Sequence, residues 1–327
     1  MSAASSTAEG PLAGAGTRRA LRYGVKLALA VAVVAWVVRG AGWEKLRQGL
    51  TAVQPGWFAL ALAVYLVGQS LCAWKWSVLA GSLGFRKPLR FYWVNYLGAM
   101  FPSLFLPTSV GGDVFRTLAL ARGGGDKVNA TVSVLADRGT GLLAMVWIAA
   151  IASLIDPTFQ QHALAVRIIF ALCTALSAGF VLPFFVRPAF ARKGFLAKVL
   201  VCWDRPAQLL QALGISFAFQ LSVCLIYILL GRALELPVDP RFYFLLCPIV
   251  SVAAMSPITI NGLGERVAAL VYLFGLVHVG AIQATVFGLA WTALVTLASL
   301  FGGLVLFCAD RQAGWVDARG PEHVAAH

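Results

Sequence analysis

Long apolar runs separated by short polar segments dominate the chain. After a first run that ends near Val38, the pattern predicts further apolar helices. They cover residues 57–80, 91–107, 128–155, 163–186, 206–230, 242–258, 263–278 and 281–308. Several approach or exceed the ~20 residues that cross a bilayer, whereas 91–107, 242–258 and 263–278 are shorter. The pattern therefore predicts an all-α fold, a polytopic integral membrane helical bundle.

Two of the short runs end in segments rich in Pro and Gly. These are FPSLFLPTSVGGD at 101–113 and MSPITINGLGER at 255–266. Broken backbone at membrane depth is tolerated where protein or a cavity surrounds it. The segments therefore predict two broken re-entrant hairpins, over 91–121 and 242–278. Two short full spans in place of each hairpin would leave the loops on the same sides, so both arrangements stay open.

The two broken segments also align with each other at an offset of 150 residues. The matched pairs are Pro107 with Pro257, Gly112 with Gly262, and Arg116 with Arg266. The same offset carries 57–80 onto 207–230 and 130–155 onto 280–305. Because the two halves then enter the membrane from opposite sides, the sequence predicts an inverted-topology repeat, which is a common transporter architecture.

Basic residues are distributed unevenly over the loops of this topology. One side carries 16 Lys and Arg residues and the other carries 5. The positive-inside rule then places both termini in the cytoplasm and the protein in the cell inner membrane or plasma membrane. The predicted organisation is a disordered tail at 1–17, a single transmembrane domain at 18–310 with repeats at about 51–160 and 201–310, and a cytoplasmic tail at 311–327.

Composition supports lipid as the solvent of this chain. It is 60% hydrophobic and 12% charged, whereas a soluble domain carries about 25% charged residues. The net charge is +13, and the basic residues cluster at the ends of apolar runs. This indicates anionic lipid headgroups rather than nucleic acid as the partner. The Cys and His residues form no metal-ligand pattern, so no metal or cofactor is expected.

Several charged residues fall next to or inside the embedded segments, where each costs roughly 2.5–3.5 kcal/mol by insertion scales. They are Asp113, Arg116, Asp137, Arg138, Glu265 and Arg266. Asp113 and Arg116 are spaced to pair locally, whereas successive residues such as Asp137 and Arg138 point about 100° apart and need partners on other helices. Either the charges pair internally, or the guanidinium groups bind the phosphate of a headgroup.

Glycines lie beside these charges at both predicted half-helix starts. They are Gly111, Gly112, Gly262 and Gly264. Glycine lets backbone amides approach a ligand closely, and a helix N-terminus favours an anion. These glycines and the six charged residues form the predicted substrate-binding set. Lys75, between Trp74 and Trp76 near the end of a span, is instead predicted to extend to the membrane interface.

Three stretches carry a family resemblance. PTSVGGDVFR at 107–116, SVLADRGTGLL at 133–143 and SPITINGLGERVAAL at 256–270 resemble the flippase-like transmembrane domain, a family that includes the membrane region of lysylphosphatidylglycerol synthase. The resemblance covers residues 20–310. It implies movement of a lipid or lipid-linked headgroup between leaflets, and it carries the same glycines, aspartates and arginines over as site residues.

One departure from the family pattern concerns the second signature. The family commonly has Glu directly after the Arg, but this chain has Val267 there and places Glu265 before Arg266. Two helix positions rotate a side chain by about 200°. The resemblance therefore does not carry a role over to Glu265, which is a candidate only through its charge beside the embedded segment.

The resulting hypothesis is that the protein is not an enzyme but a transporter that moves an anionic lipid or lipid-linked headgroup across the membrane. No P-loop motif occurs, so no ATPase chemistry is expected. By the resemblance, candidate lipids are an anionic phospholipid, a polyprenyl-phosphate glycolipid or a hopanoid. The alternatives are a membrane-embedded enzyme or accessory factor of lipid-linked glycan, isoprenoid or hopanoid synthesis, and a scaffold for lipid-biosynthetic enzymes. An aminoacyl-transferase domain is not expected after residue 310.

Overall fold

The computed structural model describes residues 51–105, 110–122, 125–156, 160–185, 195–255 and 263–313, and within these ranges regular structure is entirely helical. The α-helices are α1 (Pro55–Ser82), α2 (Leu89–Phe105), α3 (Val110–Ala121), α4 (Lys127–Ile155), α5 (Ala163–Phe185), α6 (Phe195–Leu200), α7 (Pro206–Ala233), α8 (Pro240–Ala253), α9 (Leu263–Gly275) and α10 (Ala281–Ala313). A 3₁₀ turn at Val201–Asp204 joins α6 to α7. The all-α prediction is confirmed.

Five of these helices are long and apolar enough to cross a membrane: α1, α4, α5, α7 and α10. Their bounds follow local chemistry. Pro55 and Pro206 each occupy the first turn of a helix, where the missing N–H costs nothing. The Asp126 carboxylate caps α4 by accepting from Val128 N. The predicted spans are confirmed for these helices. The run ending at Val38, the predicted tail at 1–17 and residues 314–327 of the predicted tail at 311–327 lie outside the described residues, whereas residues 311–313 continue α10.

The two halves of the chain repeat the same order of helices. Long, short, short and long helices follow one another in α1–α4 and again in α7–α10. The first helices of the halves pack antiparallel. Gln54 N, before α1, donates to Ala233 O at the end of α7 at 2.9 Å, and mid-helix Gly68 lies against Phe219. The halves are therefore inverted with respect to each other, as the sequence repeat predicts.

The short helices form two hairpins that fold back on themselves. At the base of the first, Phe91 and Tyr92 at the start of α2 pack with Leu120 at the end of α3. At the base of the second, Tyr243 of α8 contacts Phe274 of α9. Helices of 12 to 17 residues rise only about 18–25 Å, less than the ~30 Å hydrocarbon core. This geometry fits re-entrant hairpins.

The basic residues at the helix ends and in the described loops are concentrated at one end of the bundle. Lys198 on α6 pairs with Asp126 at 2.5 Å, which joins this helix to the start of α4. That end carries Arg86, Lys87, Arg90, Arg122, Lys127, Lys198 and Arg205, whereas the end with the Gln54–Ala233 contact carries Arg232 and Arg241. Among the described residues the charge bias therefore separates the two ends of the molecule.

Candidate functional site

A cavity of about 360 Å³ lies at the contact between the two halves, near the middle of the long helices. Gln69 of α1, Asp137 of α4 and Gln220 of α7 each line it from the central part of their helices. Both hairpins reach it with their inner ends, through Ser103 of α2 and Ser251 of α8. The broken hairpins therefore converge on one polar cavity at membrane depth.

A continuous chain of ion pairs runs along one wall of the cavity. Lys75 Nζ contacts Asp137 Oδ1 at 2.9 Å, and Arg116 Nη1 contacts Asp137 Oδ2 at 2.9 Å. Arg116 Nη2 then contacts Asp113 Oδ1 at 2.8 Å, and Asp113 Oδ2 contacts Arg138 Nε. Helices α1, α3 and α4 are thus joined by charges that alternate in sign, which offsets the cost of burying each of them.

Arg116, one of the three cations among the described residues that line the cavity, is enclosed by carboxylates and aromatic rings. The residue is 5% exposed, and its guanidinium contacts two carboxylates. It also lies over the rings of Trp76 and Tyr96, at 5.2 Å and 4.5 Å from their centroids. A guanidinium can pair with two carboxylates and lie over aromatic rings at the same time because it is planar and carries several donors. The charge of Arg116 is therefore already neutralised by the two carboxylates. The residue joins parts of the wall to one another and does not offer a free cation to a ligand.

Arg138 differs from Arg116 in exposure. Its side chain is 35% exposed, and the side chain of its partner Asp113 is 18% exposed, whereas the side chain of Asp137 is only 4% exposed. Both groups line the cavity. Arg138 is therefore the wall cation best placed to meet a ligand that enters.

The expected pairing of the charges is confirmed in two respects. Asp113 pairs with Arg116 three residues along α3, and Asp137 pairs with groups on other helices. The prediction for Lys75 is wrong. Its side chain is 3% exposed, pairs with the Asp137 carboxylate and also donates to Asp137 O at 2.9 Å, so it does not extend to the interface. The contact with Asp137, 62 residues away, therefore determines where the Lys75 side chain lies, and the flanking tryptophans do not.

The glycines of the first signature allow close helix contact. Gly112 is buried and lines the cavity, and a Cβ there would lie 2.6 Å from Ser103 Oγ and 2.9 Å from Ala99 O. Real Cβ atoms do not approach so closely, so glycine lets α3 begin directly against α2. Gly111 is half-buried at the same helix start.

The second signature lies partly outside the described residues, which begin again at Leu263, so Gly262 is not described. Gly264 is buried, and Glu265 is half-buried on α9 and is not among the described residues that line the cavity. Arg266 lies over the ring of Trp291, 5.7 Å from its centroid, and Trp291 lines the cavity. Arg266 therefore lies behind the cavity wall, and the Trp291 side chain separates it from the cavity.

The two halves differ in the residues that neutralise the charge of their arginines. At 150 residues beyond Lys75, Asp113 and Asp137 the chain has Leu225, Leu263 and Phe287. The second half thus lacks counterparts of the two carboxylates that neutralise Arg116 and of the lysine that pairs with Asp137. Within the described part of the chain, Arg266 Nε is buried and makes no hydrogen bond. The architecture is symmetric, but the charge distribution is not.

Polar groups that the sequence analysis did not assign to the site complete the wall. Besides Lys75 they are Tyr65, Gln69, Tyr96, Ser103, Gln220 and Ser251. Gln220 Nε2 donates to Gly141 O at 3.1 Å and so links α7 to α4. Single polar residues within apolar helices are the signal that could have identified them, because such residues face the bundle interior or a cavity.

A comparison with known protein families shows to which family the chain belongs. The profile of the lysylphosphatidylglycerol synthase TM region matches residues 24–303, which is most of the chain. The chain belongs to this family. It is thus a multi-pass membrane protein of a lipid-associated family, and both hairpins and the whole ion-pair wall lie inside the matched region. No curated protein matches the chain significantly.

Proposed function

We propose that this member of the lysylphosphatidylglycerol synthase TM region family translocates an anionic lipid, or a lipid-linked anionic headgroup, between leaflets without ATPase chemistry. The observation that supports it is the cavity at mid-depth between two inverted halves, with more positive than negative charge in its described wall. Lys75, Arg116 and Arg138 face Asp113 and Asp137 there.

The depth of the cavity suits translocation. Transporters with inverted repeats bind substrate near the bilayer midplane, where discontinuous helices from both repeats meet. Here α3 contributes its first turn through Gly112 and Asp113, and α8 contributes its last turn and the residue Met255 beyond it. A headgroup held at this level is equally far from both surfaces, so rocking of one half against the other exposes it to either leaflet.

The charges favour a phosphate-bearing headgroup. A guanidinium matches phosphate oxygens with two parallel hydrogen bonds. Arg138 is partly exposed, and a bound phosphate competes with the Asp113 carboxylate for it. Arg266, behind Trp291, adds positive potential from the second half. Asp113 and Asp137 hold the cations in place, which makes them positioning residues in this proposal.

The test is lipid translocation in reconstituted liposomes, with wild type and Arg138→Gln side by side. The probes are labelled phosphatidylglycerol, its aminoacylated form and a polyprenyl-phosphate sugar. We expect wild type to accelerate translocation of at least one probe. A hydrogen bond to a charged group is worth about 1.5–3 kcal/mol, so R138Q should slow it by roughly 10- to 100-fold.

The matched control is Lys87→Gln, which removes a positive charge at an exposed position outside the cavity. It should translocate at the wild-type rate. R138Q is preferred to substitution of Arg116, because loss of Arg116 leaves two carboxylates buried and unbalanced. No acceleration by folded wild-type protein for any of the three probes, or equal rates for R138Q and wild type, would contradict the proposal.

We also infer that the end of the bundle rich in Lys and Arg faces the cytoplasm. Cytoplasmic loops carry an excess of basic residues, and anionic lipids attract them. In this orientation the bases of α2 and α3 lie on the cytoplasmic side, and those of α8 and α9 on the opposite side.

A further inference from the structure

A second cavity, of about 620 Å³, lies on the outer surface of the bundle between α2, α3 and α10. This outer groove is lined by Val94, Asn95, Phe101, Phe115, Arg122, Leu300, Gly303, Leu304, Leu306, Phe307 and Ala309. Its volume falls within the ~300–1,000 Å³ of ligand-binding cavities. Its wall is mostly apolar, and Leu304 is 65% exposed. The groove therefore opens to the lipid.

The outer groove is separate from the central cavity. The hairpin of α2 and α3 divides them, because alternate faces of each helix line different spaces. On α3, Asp113 and Arg116 line the central cavity while Phe115 and Arg122 line the outer groove. A ligand of the groove therefore does not reach the ion-pair wall without displacing the hairpin.

The length of the outer groove matches one leaflet. From Leu300 to Ala309, α10 rises by about 14 Å. That is about half of the ~30 Å hydrocarbon thickness. The groove thus extends along the acyl-chain region of a single leaflet, with no long polar stretch to interrupt it.

Polar groups lie at the basic end of the outer groove. Arg122 directly follows α3 and is exposed, and among the described lining residues it is the charged one. Asn95, nearly two helical turns into α2 from the same end, is buried and also lines the groove. An arginine at the level of the headgroups, above an apolar slot, complements a lipid that has a phosphate and an acyl chain.

We propose that the outer groove binds one membrane phospholipid with an anionic headgroup. Its acyl chain lies between α2, α3 and α10, and its headgroup contacts the Arg122 guanidinium. This site is distinct from the central cavity and does not depend on the proposed translocation. Because the lipid packs against α2 and α3, it supports the hairpin that forms one wall of the central cavity.

The test uses phosphatidylglycerol and phosphatidylcholine that each carry a photoactivatable group in the acyl chain, in liposomes with the full-length protein. Crosslinked peptides from residues 300–309 are compared with peptides from α5, which is largely exposed and reports bulk lipid. We expect phosphatidylglycerol to be enriched over phosphatidylcholine at residues 300–309. A basic residue near an anionic surface contributes about 1 kcal/mol, so Arg122→Gln should reduce this enrichment about fivefold.

A second variant, Leu304→Trp, fills the groove and should lower crosslinking of both lipids at residues 300–309. Lys87→Gln at the same end and Leu225→Trp on the exposed surface of α7 are the matched controls, and both should leave the pattern unchanged. All variants are compared after their melting temperatures are shown to equal that of wild type. The proposal is overturned if the lipid ratio at residues 300–309 equals that at α5, or if R122Q leaves the ratio unchanged.

Discussion

At the scale of single residues, Asp137 determines how the buried charges are held. It is 3% exposed and lies between Lys75 and Arg116, which are 3% and 5% exposed. Its two oxygens each contact a different cation. Removing one partner of a buried pair leaves an uncompensated charge, which costs far more than the pair contributes when intact.

We therefore expect Asp137→Asn to destabilise the protein by about 3–5 kcal/mol. Melting of the purified protein in detergent measures the loss. Lys75→Met combined with Asp137→Asn should recover part of it, because one orphaned cation is removed. If the single and double variants have the same melting temperature, the carboxylate acts through its shape rather than its charge.

A second prediction concerns Asp126, outside the spans at the start of α4. A hydrogen bond from Lys198, followed by one from Val128 N, lowers the pKa of its carboxyl below the ordinary value. A lowered pKa in the folded state means that the stabilising contact is present at neutral pH and is lost as the pH falls through that pKa. In an NMR titration, Lys198→Gln should raise the pKa of Asp126. No change would show that the contact is absent in solution.

The residue scale also shows what sequence alone can predict about the site. The local pair of Asp113 and Arg116 follows from their spacing, and the need of Asp137 for a distant partner follows from its position beside Arg138. The identity of that partner does not follow. Lys75 comes 62 residues earlier, and only the crossing of α1 and α4 brings the two together.

At the scale of helices, glycines determine how closely α2 and α10 approach. A Cβ at Gly302 would lie 2.1 Å from Leu97 O, and one at Gly303 would lie 2.8 Å from Phe101. Without a hydrophobic driving force between helices in lipid, such close backbone contact is a main source of association. The long helices and their approximate bounds were predictable from apolar runs, but their crossing partners were not, because such helices are apolar on most of their surface.

We expect Gly302→Ala to destabilise the protein by about 1–3 kcal/mol or more, because the new methyl group overlaps a backbone carbonyl. Gly214→Ala on α7 is the control, since nothing lies within 4 Å of its Cβ position, and it should be neutral or slightly stabilising. Thermal melting in one detergent compares them. Equal melting temperatures would show that α2 and α10 do not pack this closely.

At the scale of the whole molecule, the inverted repeat explains why both hairpins reach one cavity. The first helices of the halves run antiparallel, so the second hairpin approaches the centre from the end opposite to the first. A shared offset of 150 residues was enough to predict this arrangement. The same offset shows that the second half has Leu225, Leu263 and Phe287 in place of the charged residues of the first. It could not show which charged residues of the first half pair with one another, because that depends on how the helices cross.

Antiparallel packing of α1 and α7 gives a direct test of the inverted arrangement. Gln54 precedes α1, Glu235 follows α7, and their side chains are hydrogen-bonded. In a Cys308→Ser background, Gln54→Cys with Glu235→Cys should crosslink on oxidation. Gln54→Cys with Arg205→Cys should not, because Arg205 precedes the 28-residue α7, whose ends are about 42 Å apart.

The same variants report the membrane sides. In sealed vesicles, an impermeant thiol reagent should reach Gln54→Cys and Glu235→Cys from one side, and Lys87→Cys and Arg205→Cys from the other. Labelling of Glu235→Cys together with Arg205→Cys from a single side would mean that α7 does not cross the membrane. Crosslinking of Gln54→Cys to Arg205→Cys would mean that the halves run parallel, and the convergence of both hairpins on a cavity at mid-depth would then lose its structural basis.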